Sequence, residues 1–475
     1  MKTLPLYLDG QWENSEVSLP VYNPADDQRI AEVSVVDRAR AKKAIESSHT
    51  AFDAWKNLPG VFRGRYLRAI ADGLGRQEEE IAKTITLENG KPINQSRDEV
   101  EKAIDHFHWY AEEARRGYGR TVPHQADGKR HIIIRTPIGV VGAIVPWNFP
   151  IALAARKMAP ALAAGCPVLL KPAVQTPLSS IQLAKCVAEA DLPPGIFQLL
   201  IGEPSAIGNE MLENQFCRKI SFTGSTRVGK ILIQGASSTC TRLSLELGGN
   251  APVIIFDDAD LDVALESAIL IKFRNTGQSC VSANRIYVQR TIYDRFIEAF
   301  SERSKRLRIG NGLEEFVDIG PLINREALKT ALLFIDDSVG HGARLINGGV
   351  RWGGIGNFLE PTILADVPEN ALCAKDEIFA PVAAFFPFDT EEEVVNRANN
   401  TEYGLAAYLF TGNLDRSIRL SERLEAGTIG VNDPVPATSN CPFGGMKQSG
   451  WGRELGSEGM DAYLETKHIS ISLRS

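Results

Sequence analysis

From Gly139 onwards, short apolar segments alternate with helix-like segments in units about as long as one strand–helix pair. This alternation predicts a parallel, doubly wound sheet, because parallel strands need a crossover helix between them. In such a sheet the ligand crevice lies beyond the carboxyl ends of the strands, so function is expected in the loops that follow. The predicted strands are 140–145, 168–171, 197–200, 219–222, 243–246 and 253–256, and the predicted helices are 150–165, 179–190, 205–214 and 228–234.

The segments on either side of this region predict further elements. The first third is predicted to be helical, with Asp37 as the N-cap of its first helix, a second helix over 66–85 that stops before Gly90, and a third over 98–116. Residues 120–135 predict an exposed hairpin. A second alternating region, 262–424, predicts another α/β domain with strands at 285–288, 383–388 and 405–410. The tail strand 469–473 is expected to join a neighbouring sheet or subunit.

Charge and cysteine usage exclude several classes of protein. The net charge is −7 and no segment concentrates basic residues, which excludes nucleic acid as a partner. The longest uncharged apolar run, 158–170, is shorter than the roughly 18 residues of a membrane span, and the N-terminus lacks the apolar core of a signal peptide. Seven scattered cysteines without a C-x-x-C pair predict reduced thiols in a cytoplasmic protein, with no metal site.

Two side chains suggest nucleophilic chemistry. Cys280 ends the polar, glycine-containing turn 275–280 directly after an apolar helix, which makes it the best nucleophile candidate, although a structural thiol is the plain alternative. Glu246 ends a predicted buried strand before two glycines and could act as a general base, or it could simply face solvent. No histidine motif accompanies Cys280, so a papain-like hydrolase is disfavoured.

Other strand ends carry polar groups as well. Asn148, in the turn 146–150, could donate its amide to an oxyanion or could serve only the turn conformation. Lys171 ends another strand. Gly224 and Ser225 begin a helix whose N-terminal amides suit a pyrophosphate, although the segment 222–229 is neither G-x-G-x-x-G nor a P-loop.

Together these motifs and their order resemble the aldehyde dehydrogenase superfamily over essentially the whole chain. The segments that carry the resemblance are YLDG at 7–10, NP at 23–24, PWNFP at 146–150, LELGG at 245–249, NTGQSC at 275–280, EIFAPV at 377–382 and PFGG at 442–445. The resemblance implies an α/β fold with a doubly wound cofactor domain (1–119 and 137–246), an α/β catalytic domain (247–441) and a small β oligomerisation element (120–136 and 458–475).

The resemblance also implies roles for individual residues. Cys280 attacks the aldehyde, the Asn148 amide and the Cys280 N–H hold the oxyanion, hydride leaves for a nicotinamide, and Glu246 deprotonates the water that hydrolyses the thioester. The implied cofactor contacts are Lys171 with the adenosine ribose, Gly224 and Ser225 with the pyrophosphate, Glu377 with the nicotinamide ribose, Phe379 with the nicotinamide, and further contacts from Trp147, Val174, Gly229 and Leu247.

Within the superfamily the chain is most similar to succinate-semialdehyde dehydrogenases. Arg156 and Arg274 match that subgroup's carboxylate-binding arginines, and each lies in or beside an apolar helix where a substrate carboxylate would satisfy it. The subgroup's carboxylate-binding serine falls on Ala437, for which Thr438 and Ser439 are candidate substitutes.

Two further departures concern regulation and the cofactor. Some members of the subgroup carry a second cysteine two residues after the nucleophile, and the two cysteines form a redox switch. Ser282 stands at that position here, so the switch is expected to be absent. Val174 replaces the glutamate of NAD-preferring members, and Arg227 stands where an acid is common, so NADP is expected to be accepted, with NAD as the other cofactor.

Several alternatives stay open. Glutarate semialdehyde, a sulfonated aldehyde or an uncharged small aldehyde could replace succinate semialdehyde as substrate. An enzyme that transfers the acyl group to coenzyme A would not need Glu246, and a non-catalytic protein of this fold would be expected to lose Cys280, Asn148 or Glu246. A homo-dimer or homo-tetramer is expected.

Overall fold

The computed structural model describes residues 3–473, so positions 1, 2, 474 and 475 of the predicted domains lie outside the described residues. Small sheets and four helices make up the N-terminal part, and a hairpin of two antiparallel strands follows them. The elements in this part are β1 (Thr3–Leu4), β2 (Leu6–Leu8), β3 (Gln11–Glu13), β4 (Ser18–Tyr22), β5 (Arg29–Ser34), α1 (Arg38–Asn57), α2 (Gly60–Arg76), α3 (Glu78–Asn89), α4 (Ile93–Glu113), β6 (Arg120–Val122) and β7 (Lys129–Pro137).

Asp37 caps α1 as predicted, since its side chain accepts a hydrogen bond from the Arg40 N–H. The single helix predicted over 66–85 was wrong, because the chain forms two helices that meet at Gln77. Gly73 and Gly75 weaken the end of α2, and three consecutive glutamates at 78–80 favour a new helix N-terminus. Gly90, with φ of +93°, ends α3 as predicted.

The middle of the chain forms a six-stranded sheet in the order β10-β9-β8-β11-β12-β20. Its first five strands are parallel, and the short β20 pairs antiparallel with β12 at the edge. The elements are β8 (Val140–Ile144), α5 (Pro150–Ala164), β9 (Val168–Lys171), α6 (Pro177–Glu189), β10 (Phe197–Leu199), α7 (Pro204–Glu213), β11 (Cys217–Thr223), α8 (Thr226–Ala236) and β12 (Arg242–Glu246).

A second sheet follows, with seven strands in the order β15-β16-β17-β14-β13-β18-β19. The prediction that residues 253–256 extend the first sheet was wrong, because β13 pairs with β14 and β18 in this second sheet. The elements are β13 (Ala251–Ile255), α9 (Leu261–Phe273), β14 (Ala283–Gln289), α10 (Tyr293–Ser304), α11 (Arg325–Gly340), β15 (Arg344–Asn347), β16 (Thr362–Ala365), α12 (Leu372–Lys375), β17 (Val382–Phe388), α13 (Glu391–Asn399), β18 (Ala406–Phe410), α14 (Leu414–Arg423) and β19 (Thr428–Val431).

The C-terminal segment returns to the first sheet and then to the hairpin. It contains β20 (Gly450–Trp451), α15 (Gly456–Asp461) and β21 (Leu464–Ser472). The tail strand pairs with β7 of its own chain over nine residues, so a three-stranded sheet β21-β7-β6 forms within one molecule. The predicted α/β class is confirmed, and among residues 3–473 no helix is both long and apolar enough to cross a membrane.

Candidate active site

Four neighbouring strands of the first sheet end at the same level and present the predicted residues along one edge. The register pairs Ile144 with Lys171 and Thr223 with Glu246. The turn after β8 carries Trp147 and Asn148, and Gly224 follows β11 directly. The sheet therefore brings candidates from four separate sequence segments to its carboxyl-terminal edge, as predicted for a doubly wound sheet.

An unusual backbone segment places Cys280 opposite this edge. Asn275, Thr276 and Gly277 have φ of +50°, +58° and +75°, a left-handed conformation that is costly for a β-branched residue such as Thr276. The Asn275 side chain fixes the turn by donating to the backbone oxygens of Asn148 at 2.9 Å and of Gln278 at 3.1 Å. The nucleophile loop and the turn after β8 are thus held together by one amide.

Asn148 lies beside the same loop. Its Nδ2 donates to the Gln278 carbonyl at 3.2 Å, and its own backbone oxygen accepts from Lys91 Nζ at 2.7 Å. The side chain is buried. The Asn148 amide is therefore fixed two residues from Cys280 and has a second N–H with which to donate to an oxyanion at the thiol.

The Cys280 thiol is neutral in this environment. Burial and, to a smaller extent, the nearby carboxyl groups of Glu377 and Glu246 raise its pKa to about 12, while Arg156 opposes them. A thiolate is the reactive form, so reaction requires a group that accepts the thiol proton or a change in these surroundings.

Glu246 is buried rather than facing solvent. Burial holds its pKa well above the usual value, and the neighbouring carboxyl group of Glu454 raises it as well. Its Oε2 atom has no hydrogen-bond partner among residues 3–473. A Cβ on Gly444 would lie only 2.8 Å from Oε1, so a glycine is needed to leave room for the carboxylate. Glu246 is therefore available to exchange a proton.

A buried ion pair lies next to Glu246, and neither of its members was predicted. Lys157 Nζ contacts Glu454 Oε1, with both side chains almost fully buried, and it lies 3.4 Å from Ser221 Oγ. The presence of Lys157 inside the apolar helix α5 was the available signal, because a buried ammonium group needs a partner. The sequence offers no comparable signal for Glu454.

A cavity of about 90 Å³ leads to Cys280, and both predicted arginines line it. The Arg156 guanidinium stacks on the Phe443 ring at 5.1 Å, and that of Arg274 stacks on Phe149 at 5.3 Å. Within residues 3–473, neither arginine forms an ion pair with a carboxylate. The cavity is thus small, partly apolar and positively charged.

The structure does not bring Thr438 and Ser439 to this cavity, although Ala437 lines it. The Thr438 hydroxyl donates to Asn440 at 2.8 Å, and the Ser439 hydroxyl donates to Asp105 and bonds His106 Nδ1 at 2.8 Å. Both hydroxyls therefore lie outside the cavity that Arg156 and Arg274 line.

Ser439 acts instead on the orientation of an arginine. Arg156 Nε donates to His106 Nε2 at 3.3 Å, so the imidazole proton lies on Nδ1 and faces Ser439. Burial and the neighbouring Arg156 hold the pKa of His106 well below its usual value, which keeps the ring neutral. Asp105, Ser439 and His106 thus form a chain that holds Arg156 towards the cavity.

The predicted cofactor residues lie along the sheet edge and the facing loop. Lys171 is buried, burial lowers its pKa to about 8, and it makes no ion pair within residues 3–473. Burial raises the pKa of Glu377 to about 8, although its Oε1 accepts the Gly249 N–H at 3.1 Å. Trp147 and Phe379 meet edge to face with ring centroids 5.6 Å apart.

The residues present fit a bound dinucleotide. A Cβ on Gly224 would lie 2.4 Å from the Phe222 ring, and one on Gly229 would lie 2.6 Å from the Leu247 side chain, so a larger residue at either position would displace these neighbours. Ser225 caps α8 by accepting the Val228 N–H, which leaves the N-terminus of that helix at the sheet edge. Val174 lines a different cavity, of about 620 Å³, together with Glu88 and Gln175.

Comparisons with known proteins agree with this site. The model of the aldehyde dehydrogenase family matches residues 12–469. The NADP(+) succinate-semialdehyde dehydrogenase of Escherichia coli K12 is 44% identical over 98% of this chain and 97% of that protein. A glutarate-semialdehyde dehydrogenase of Pseudomonas aeruginosa is 43% identical over the same shares of the two chains. The crystal structure of an E. coli NADP-dependent enzyme superposes with a TM-score of 0.98 at 43% identity, covering 99% of this chain and 98% of that one. With these motifs in this geometry, the chain belongs to the aldehyde dehydrogenase family and is an oxidoreductase.

Proposed function

We propose that the protein oxidises succinate semialdehyde to succinate with NADP or NAD as the electron acceptor. The observation that carries this proposal is the pair of guanidinium groups, Arg156 and Arg274, that line the cavity of Cys280 without a carboxylate partner. A substrate carboxylate supplies the missing counter-charge, and each hydrogen bond to it contributes about 1.5 to 3 kcal/mol. The E. coli relative bears the name of this activity and of NADP.

The residues of the chain account for the chemical steps. The ionised form of Glu246, whose Oε2 has no partner among residues 3–473, accepts the Cys280 proton. The Cys280 thiolate attacks the aldehyde carbon, and the Asn148 amide and the Cys280 N–H donate to the oxygen of the resulting thiohemiacetal. A bound nicotinamide supplies the hydride acceptor. After Glu246 has released that proton to solvent, its carboxylate takes a proton from the water that attacks the thioester, and the acid product leaves as the Cys280 thiolate is regenerated.

The remaining chain provides the cofactor site and the assembly surface in this proposal. Residues 1–119 and 137–246 bind the cofactor through Trp147, Lys171, Gly224, Ser225 and Gly229, with Leu247, Glu377 and Phe379 closing the nicotinamide end. Residues 247–441 carry the nucleophile. The element formed by 120–136 and 458–475 joins the subunits of a homo-dimer or homo-tetramer. Its exposed outer strands, β6 and β21, support this assignment.

Other small anionic aldehydes are the second candidates. Glutarate semialdehyde differs from succinate semialdehyde by one methylene, and a sulfonated aldehyde presents an anion of the same charge to the same arginines. The relative from P. aeruginosa is named for the five-carbon substrate. Selectivity from one methylene is only about 10- to 200-fold, so both semialdehydes are expected to react.

The test is NADPH formation without coenzyme A from succinate semialdehyde and from butanal, which has the same chain length and no carboxylate. A kcat/KM for the semialdehyde at least tenfold above that for butanal supports the anion site. Equal values contradict the proposed substrate class, and a requirement for coenzyme A contradicts the hydrolytic step assigned to Glu246. Glutarate semialdehyde and a sulfonated aldehyde, run in parallel, rank the anionic candidates.

A further inference from the structure

A third cation lines the same cavity. Lys102, on α4, lines it together with Arg156 from α5 and Arg274 from the turn after α9. The side chain is half-buried, and within residues 3–473 it has neither an ion-pair partner nor a hydrogen bond to another side chain. Three positive side chains from three separate elements therefore surround one small cavity.

The carboxylates near Lys102 are occupied or exposed. Glu99, one helical turn before it, contacts Lys91 Nζ and accepts the Ile151 N–H at 2.9 Å. Asp98 is exposed to solvent, and Asp105 accepts the Ser439 hydroxyl. The neutral His106 faces Arg156. Glu99 is thus the carboxylate that lines the cavity, and it is already paired with Lys91, so Lys102 has no ion-pair partner within residues 3–473.

The surroundings make this ammonium group unfavourable in the absence of a ligand. Burial and, to a smaller extent, the positive charges of Arg274 and Arg156 lower the pKa of Lys102 to about 8, while Asp98 and Glu99 act in the opposite direction. Like charges that share a partly apolar cavity repel one another, and an anion bound among them offsets that repulsion. Ala437, in the same cavity, offers only a methyl group.

We propose that Lys102 is a specificity-determining residue whose ammonium group binds the distal anionic group of the aldehyde together with Arg156 and Arg274. This inference rests on the proposed function, since it assigns a third contact to the same substrate anion. It explains how the site binds an anion although residue 437 lacks a hydroxyl. The alternative is that the ammonium group extends to solvent and contributes nothing to binding.

The experiment compares the wild-type enzyme with Lys102→Met and Lys102→Arg, using succinate semialdehyde and butanal. Methionine keeps the length of the side chain and removes the charge, whereas arginine keeps the charge. We expect Lys102→Met to raise KM for the semialdehyde about tenfold, with kcat and the butanal parameters within twofold of the wild type. Lys102→Arg is expected to keep a low KM.

A pH profile separates binding from a structural role. In the wild type, KM for the semialdehyde is expected to rise as the pH increases from 7 to 9.5, because Lys102 loses its proton in that range. The rise is expected to disappear in Lys102→Met and to be much reduced in Lys102→Arg, whose guanidinium stays charged.

The outcomes are distinguishable. The role of Lys102 is overturned, and the proposed function stays intact, if Lys102→Met keeps the full preference for the semialdehyde. The same holds if the substitution lowers kcat/KM equally for the semialdehyde and for butanal. A wild-type enzyme without any preference overturns both. Glutarate semialdehyde provides a further check, because binding of the distal carboxylate of either semialdehyde is expected to depend on Lys102.

Discussion

Two groups of buried or half-buried cations in this protein differ in where their counter-charge comes from. Lys91 and Lys157 each contact a buried glutamate of the same chain, Glu99 and Glu454 respectively. The cations of the cavity, Arg156, Arg274 and Lys102, have no such partner within residues 3–473. The first group therefore stabilises the protein's own structure. For the second group, the proposed function assigns the counter-charge to the substrate.

The largest effect is expected from breaking a pair of the first group. Lys157→Met leaves Glu454 buried without its cation, which is expected to lower the free energy of unfolding by about 3 to 5 kcal/mol in urea titrations. The double variant Lys157→Met/Glu454→Leu removes both charges and should recover most of this loss. Arg303→Met, which breaks an exposed pair with Glu266, is the control and should cost about 1 kcal/mol or less. If Lys157→Met unfolds with the same free energy as the wild type, the claim that the first group stabilises the protein's own structure is contradicted.

A cation of the second group should affect binding instead of folding. Arg274→Met is expected to lower kcat/KM for succinate semialdehyde by about 10- to 150-fold, because one charged hydrogen-bonding partner of the substrate is lost. The butanal kcat/KM and the urea midpoint should stay close to those of the wild type. Arg156→Met should lower kcat/KM for the semialdehyde as well, with a smaller loss for butanal, because the Arg156 charge also opposes the raised pKa of the Cys280 thiol. If the midpoint falls as far as in Lys157→Met, the arginines are structural and the distinction fails.

Lys171 extends the comparison to the cofactor, since it too is buried without an ion pair among residues 3–473. Lys171→Met is expected to raise KM for NADP about tenfold and KM for NAD by less, because the 2′-phosphate adds negative charge. In the wild type, KM for NADP should rise above pH 8 as Lys171, whose pKa is about 8, loses its proton. Initial rates with both cofactors at pH 7 and 9 check this, and equal effects on NAD and NADP would exclude a phosphate contact.

The sequence predicted most of the first sheet and the position of its ligand edge. Strand 168–171 agrees with β9 residue for residue, and helix 150–165 agrees with α5 within one residue. These elements are predictable because buried strands and capped helices are determined by local apolar runs, glycine and proline. Cys280, Asn148 and Glu246 could be placed near one another because they follow strand ends or match a family motif.

Other features depend on contacts between distant segments. Nothing local in 251–255 distinguishes a strand of the first sheet from one of the second, since both sheets are buried on two faces. The antiparallel β20 is only two residues long, and its pairing with β12 depends on Gly450, whose φ is +113°. The hydrogen bonds of the Ser439 hydroxyl with Asp105 and His106 could not be predicted either, because they form only where α4 packs against the loop 437–441.

The pairing of Lys157 with Glu454 has a consequence for protein synthesis. The two residues are 297 positions apart, and a ribosome that adds about 5 to 20 residues per second needs roughly 15 to 60 s between them. During that interval α5 carries an ammonium group whose buried partner does not yet exist. The first sheet also lacks its edge strand β20 until residue 451 has been made. The first sheet, although most of its strands are encoded before those of the second, is therefore completed after it.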